Sequence, residues 1–286
     1  MMLTALFALL FPTFTGWADV VAPSPVFVVQ QDDTLESDID AYRDLFRYPK
    51  GGEDKAIEFL DKFLQRYLAD GERLRAIADE IELGVEPKQQ RLFKKEVKEL
   101  QKEQGDLTDE IWYCFKKRKD EESEANQRMW KAAAYVFAQM GTDGADYLMK
   151  AFADKRFSRL PDLMGLFIEQ VGYTHDYSKT DTLIDLLDHN HFVVIAKAAY
   201  ALSQFSGAPG KLRKEAVGVL VRTLESYRNS ASDNLESMEV RRYRQTREPI
   251  LRALTALTGE SFRESLAWTK WWNTNRKNAK YWKDKE

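Results

Sequence analysis

The chain has 286 residues, 44% of them hydrophobic and 31% charged, with a formal net charge of -3. This balance suits one large globular domain or two smaller ones and excludes both a polytopic membrane protein and a chain disordered throughout. Fourteen Gly and eight Pro are too few for a turn-rich sandwich or barrel, so an all-α fold is favoured. One cysteine, Cys114, excludes an intramolecular disulfide framework and a thiolate metal cluster.

Residues 1–18 contain no charged side chain, and the apolar run Leu3 to Phe14 has the length of a signal-peptide core, too short to cross a bilayer. Pro12 breaks the run, and Gly16 and Ala18 place small residues where a signal peptidase reads, so cleavage between Ala18 and Asp19 and export to a periplasmic or extracellular location are expected. The n-region lacks Lys and Arg, which leaves retention as an anchor open. Residues 19–52 read as an acidic flexible leader: Asp19 to Asp54 carries nine acids against Arg43, Arg47 and Lys50. Pro23-Ser24-Pro25 and Gly51-Gly52 leave room for one short helix near Asp38 to Phe46.

Residues 53–120 read as helical hairpins. Ile57, Leu60, Phe63 or Leu64, and Tyr67 or Leu68 recur at three and four residues, the period of one helical face. Asp70-Gly71 reads as a stop, after which Leu74, Ile77 and Ile81 carry the period on to Gly84 and Pro87. Lys88 to Gln104 and a further segment opened by Thr108 complete two expected helical pairs. The highly charged 88–104 stretch is shorter than three heptads, which favours a local antiparallel hairpin over a coiled-coil arm.

From Glu124 the chain repeats itself. Ala134 to Gly141 (AYVFAQMG), Leu166 to Gly172 (LFIEQVG) and Ala199 to Gly207 (AYALSQFSG) share a pattern, with their Gln residues 31 and 34 positions apart. Each ends at a Gly turn followed by a second helix, expected over Asp146 to Phe152, Thr180 to Leu187 and Leu212 to Tyr227. Helix, turn and helix at about this period is the mark of an α-solenoid. These helix ends, with Leu254 to Gly259, resemble HEAT-type repeats. The closing Leu257-Thr258-Gly259, Phe262, Trp268, Trp271-Trp272 and Asn275 resembles the terminus of exported bacterial HEAT-repeat proteins. Residues 121–286 are therefore expected to form HEAT-like repeats with a Trp-rich capping helix. The tetratricopeptide spacing of Trp, Leu-Gly and Tyr is absent. The resemblance implies a scaffold for other macromolecules, most simply a protein partner, and supplies no catalytic residue and no cofactor.

Four groups of polar or aromatic side chains are candidate sites. His175, His189 and His191 lie among carboxylates that suit a divalent metal, and a metal-dependent hydrolase using residues 175–191 is the competing function. However, two-residue spacing points His189 and His191 apart on a helix, and Asp188-His189-Asn190 reads as a turn with Asn190 as cap. No G-x-S-x-G motif is present, and Cys114, between aromatics, reads as core. Residues 239–286 carry twelve basic and six acidic side chains. Arg241, Arg242, Arg244 and Arg247 form the densest cluster, with 241, 244 and 247 on one helical face, able to attract nucleic acid, an anionic glycan or lipid headgroups. Export makes nucleic acid a poor partner. Trp268, Trp271 and Trp272 form an i, i+3, i+4 stripe that either caps the open end of a core or offers a stacking platform to sugars.

Overall fold

A computed structural model describes residues 32–48, 50–230 and 237–284. The expected signal segment and the first part of the leader lie outside them. Among the described residues the fold is all-helical, 81% helix and without strands, with eleven α-helices packed together.

The leader region contains a full helix, α1 (Asp32–Asp44), which starts well before the short segment expected near Asp38. It is docked: Tyr42 is completely buried and meets Phe46, Phe59 and Phe63 edge-on. The next two helices correct the expected pair of hairpins. α2 (Glu53–Leu83) runs straight through Asp70-Gly71, and α3 (Pro87–Lys117) runs through Gly105, so one hairpin of two 31-residue helices replaces two short ones. Each is about 46 Å long. Glycine inside a helix costs up to about 1 kcal/mol. Here it is offset by cross-helix contacts, because Gln104 donates to the Tyr67 carbonyl at 3.0 Å and Arg66 pairs with Glu103.

The remaining helices are α4 (Glu124–Ala138), α5 (Gly141–Phe152), α6 (Pro161–Tyr173), α7 (Thr180–Asp185), α8 (Phe192–Gln204), α9 (Gly210–Ser230), α10 (Met238–Thr258) and α11 (Ser265–Asn275). α2, α4, α6, α8 and α10 pack successively, each on the next, while α3 meets α5 and α9 meets both α7 and α11. Ser123 and Ser237 cap α4 and α10 by accepting from Asn126 and Val240 N–H groups, and Gly259 closes α10 in the left-handed conformation. The turn before α8 is not capped by Asn190: the Nδ1 of His189 accepts from the His191 N–H at 3.1 Å.

One apolar core runs from Tyr42 to Trp271. The thiol of Cys114 is completely buried within it, against the hydroxyl of Tyr42, and burial pushes it up to about 12. Two buried arginines tie chain segments to one another. Arg118 pairs with Glu53 at 2.9 Å and donates to the carbonyls of Leu45, Tyr48 and Gly51. Arg213 donates to the carbonyls of Ala208, Leu257, Tyr281 and Lys283, clamping the C-terminal tail onto the start of α9.

Candidate functional site

Glycine sets the spacing of the most distinctive surface. A methyl group on Gly172 would lie 2.6 Å from the Ala201 Cα, and one on Gly165 would lie 2.9 Å from Val193 Cγ1, so α6 lies directly on α8. This brings Tyr173 and Tyr200 together, with hydroxyls 2.8 Å apart and ring centroids 6.2 Å apart at 57°. Tyr135 on α4 (52% exposed) and Tyr173 (42%) stand out among mostly polar neighbours, and the Arg252 guanidinium on α10 lies 5.9 Å from the Tyr200 ring centre. Three tyrosines and an arginine therefore come from four successively packed helices. Hydrogen bonding to Tyr200, then burial and the nearby Glu169 charge, push the Tyr173 hydroxyl up to about 12, so it stays protonated and able to donate.

Beside this row lies a groove of about 860 Å³, lined by Tyr135, Gln139, Glu169, Gln170, Tyr173 and His175, among others. Gln170 is 5% exposed, and its side-chain amide has no hydrogen-bond partner among the described residues. Glu169 is held by Lys197 at 2.6 Å. His175, just past the Thr174 cap of α6, has a left-handed φ of 54° and lines the groove. The lining therefore offers aromatic faces, amides and one fixed ion pair. No nucleophile-base pair is found among these lining residues.

The four sequence-selected arginines do not share one environment. Arg241 and Arg244 are exposed on α10. Arg242 stacks over Tyr227 at 5.4 Å and points toward the Asn190 carbonyl. Arg247 donates to the Arg263 carbonyl and pairs with Glu248. The three histidines do not converge either: His175 lines the groove, while the His189 and His191 rings stand 5.5 Å apart in the α8 turn. Among the described residues no group of three or more His, Cys, Asp or Glu is placed to hold a metal.

The tryptophans face inward. Trp268 is completely buried and its Nε1 donates to the Phe262 carbonyl at 3.0 Å; Trp271, 8% exposed, is enclosed by Tyr281 and Trp282. Trp272 is half-buried over Gly218. Their ring faces are occupied by the chain itself.

Sequence reasoning passed over the tyrosine row. The available signal was the shared position of Tyr135 and Tyr200, each four residues before the Gln of its repeat, where a buried helix would carry an aliphatic side chain. Among the described residues no helix is long and apolar enough to cross a membrane. No family model, curated protein or solved structure matches the chain.

Proposed function

We propose that this chain is a non-catalytic helical scaffold of the α-solenoid, HEAT-like type, exported from a bacterial cell, that holds an extended segment of a partner protein against α4, α6, α8 and α10. The row of Tyr135, Tyr173 and Tyr200 carries this reading. Tyrosine offers a large apolar face and a polar tip while losing little rotamer freedom, which is why it is enriched at protein interfaces. Gln170 adds an amide whose donor and acceptor match a peptide main chain. The succession of packed helices supports the solenoid reading, since each helix of that row meets the next.

A photo-crosslinking residue at Tyr135 or Tyr173, compared with one at exposed Tyr48, tests the surface in the producing cell. Protein adducts confined to the groove positions are expected. Equal labelling at Tyr48 would remove the basis for this site, and glycan binding abolished by Trp271→Ala with thermal stability intact would move the ligand to the C-terminal helix. N-terminal sequencing of the exported chain tests cleavage after Ala18.

A further inference from the structure

The tyrosine row continues past Tyr200. The Arg252 side chain that lies against the Tyr200 ring also lines a second groove, of about 480 Å³, formed by α10 and the loop after it. Leu251, Ala256 and Phe262 make part of that lining apolar, and Arg247, Arg252 and Arg263 bring three guanidiniums against one carboxylate, Glu248. The excess of positive charge survives pairing. Arg247 is committed to Glu248 and to the Arg263 carbonyl, whereas Arg252 and Arg263 are exposed and have no carboxylate partner among the described residues. Of the two acids in the loop, Glu260 accepts from the Tyr281 hydroxyl at 2.9 Å, and Glu264 is not part of the groove lining. The loop is also held in place. Gly259 turns it in the left-handed conformation, Arg247 binds the Arg263 carbonyl at 2.6 Å, and the Trp268 Nε1 binds that of Phe262 at 3.0 Å. Arg263 thus stands on backbone that binding need not order, which keeps the entropic cost of capture low.

Resting on the reading of the tyrosine row as the seat of a partner segment, we propose that this segment is acidic at one end and that Arg252 and Arg263 bind its carboxylates. A guanidinium matches a carboxylate in a two-point hydrogen-bonded pair, and the apolar lining receives the methylenes of Asp and Glu. Because Arg252 is shared between Tyr200 and the second groove, the acidic end is the one past Tyr200, away from Tyr135. A peptide fits better than a sulfated glycan. The groove beside Tyr135 and Tyr173 is lined by no Lys or Arg, so a ligand charged along its whole length gains nothing there.

Random twelve-residue peptides displayed on phage and selected on the whole chain test this. Enriched sequences are expected to carry two or more Asp or Glu at one end. A fluorescein-labelled copy of one is expected to bind Arg252→Glu with Arg263→Glu about tenfold more weakly, and with a flatter salt dependence. Lys94→Glu with Lys98→Glu, on α3 and lining neither groove, makes the same change of net charge and is expected to leave binding unaltered. All four side chains are exposed, and circular dichroism checks the fold of each variant. Enriched peptides without acids that still require Tyr135 and Tyr173, or acidic ones that bind the double arginine variant undiminished, would overturn the acidic end and leave the scaffold reading standing. No enrichment, or binding indifferent to Tyr135→Ala with Tyr173→Ala, would remove both. A heparin hexasaccharide that binds through Arg252 and Arg263 while no peptide does would make the second groove a glycan site and overturn the proposal.

Discussion

Asp70 shows how a single carboxyl tunes the hairpin. It is 4% exposed, one of its oxygens has no partner, and burial with the nearby Glu103 raises it from an ordinary 3.8 to about 6 against the opposing pull of Arg66. Between those two pH values the folded chain holds a proton that the unfolded chain has released. Stability from this residue therefore falls as pH rises through the window and is level above about 6. Asp70→Asn is expected to remove that slope and to raise stability at pH 7.5 by about 1–2 kcal/mol, read from urea midpoints at several pH values. Arg118 works in the opposite sense. Arg118→Met strands buried Glu53 and three carbonyls, and a loss of about 3–5 kcal/mol in the same assay is expected.

At the scale of elements, α11 tests whether its indoles hold the fold. Trp271→Ala is expected to cost about 3–5 kcal/mol, because its ring fills space between Trp268, Tyr281 and Trp282. Thermal unfolding followed by circular dichroism measures it, and an unchanged midpoint would mark the ring as surface. The helices were legible wherever period and punctuation agreed, as at the end of α10 with its left-handed Gly259. They were misread at Asp70-Gly71, where a local breaker is overruled by Gln104 and Glu103 on a helix more than thirty residues away. The four arginines show a related limit. Spacing gives the face of a helix, but the partner each long side chain reaches, Tyr227 for Arg242 and the Arg263 carbonyl for Arg247, is set by packing between elements.

Across the whole molecule, burial is uneven, and dynamics follow burial. Amides of residues 74–100 are expected to exchange hydrogen faster than those of α6 and α8, since Ile77 and Phe93 are the buried apolar residues of that stretch while α6 and α8 are buried on several sides. Mass spectrometry of exchanged peptides resolves the two regions. The all-helical class was readable from composition, whereas the tyrosine row arises only once Gly165 and Gly172 bring α6 onto α8, a contact between segments that sequence spacing does not contain.

The lone thiol of Cys114 has a further consequence. Sealed beneath Tyr42 and held in its unreactive protonated form, it is a built-in clock for the lifting of α1 from the hairpin. A thiol reagent in excess reports that event directly, because each modified molecule must first have opened. At high reagent concentration the labelling rate becomes the opening rate itself, and at low concentration it gives the fraction of chains open at any moment. Repeating the measurement on Arg118→Met, whose lost bonds tie the end of α1 to α2, is expected to quicken labelling while leaving α8 through α11 undisturbed.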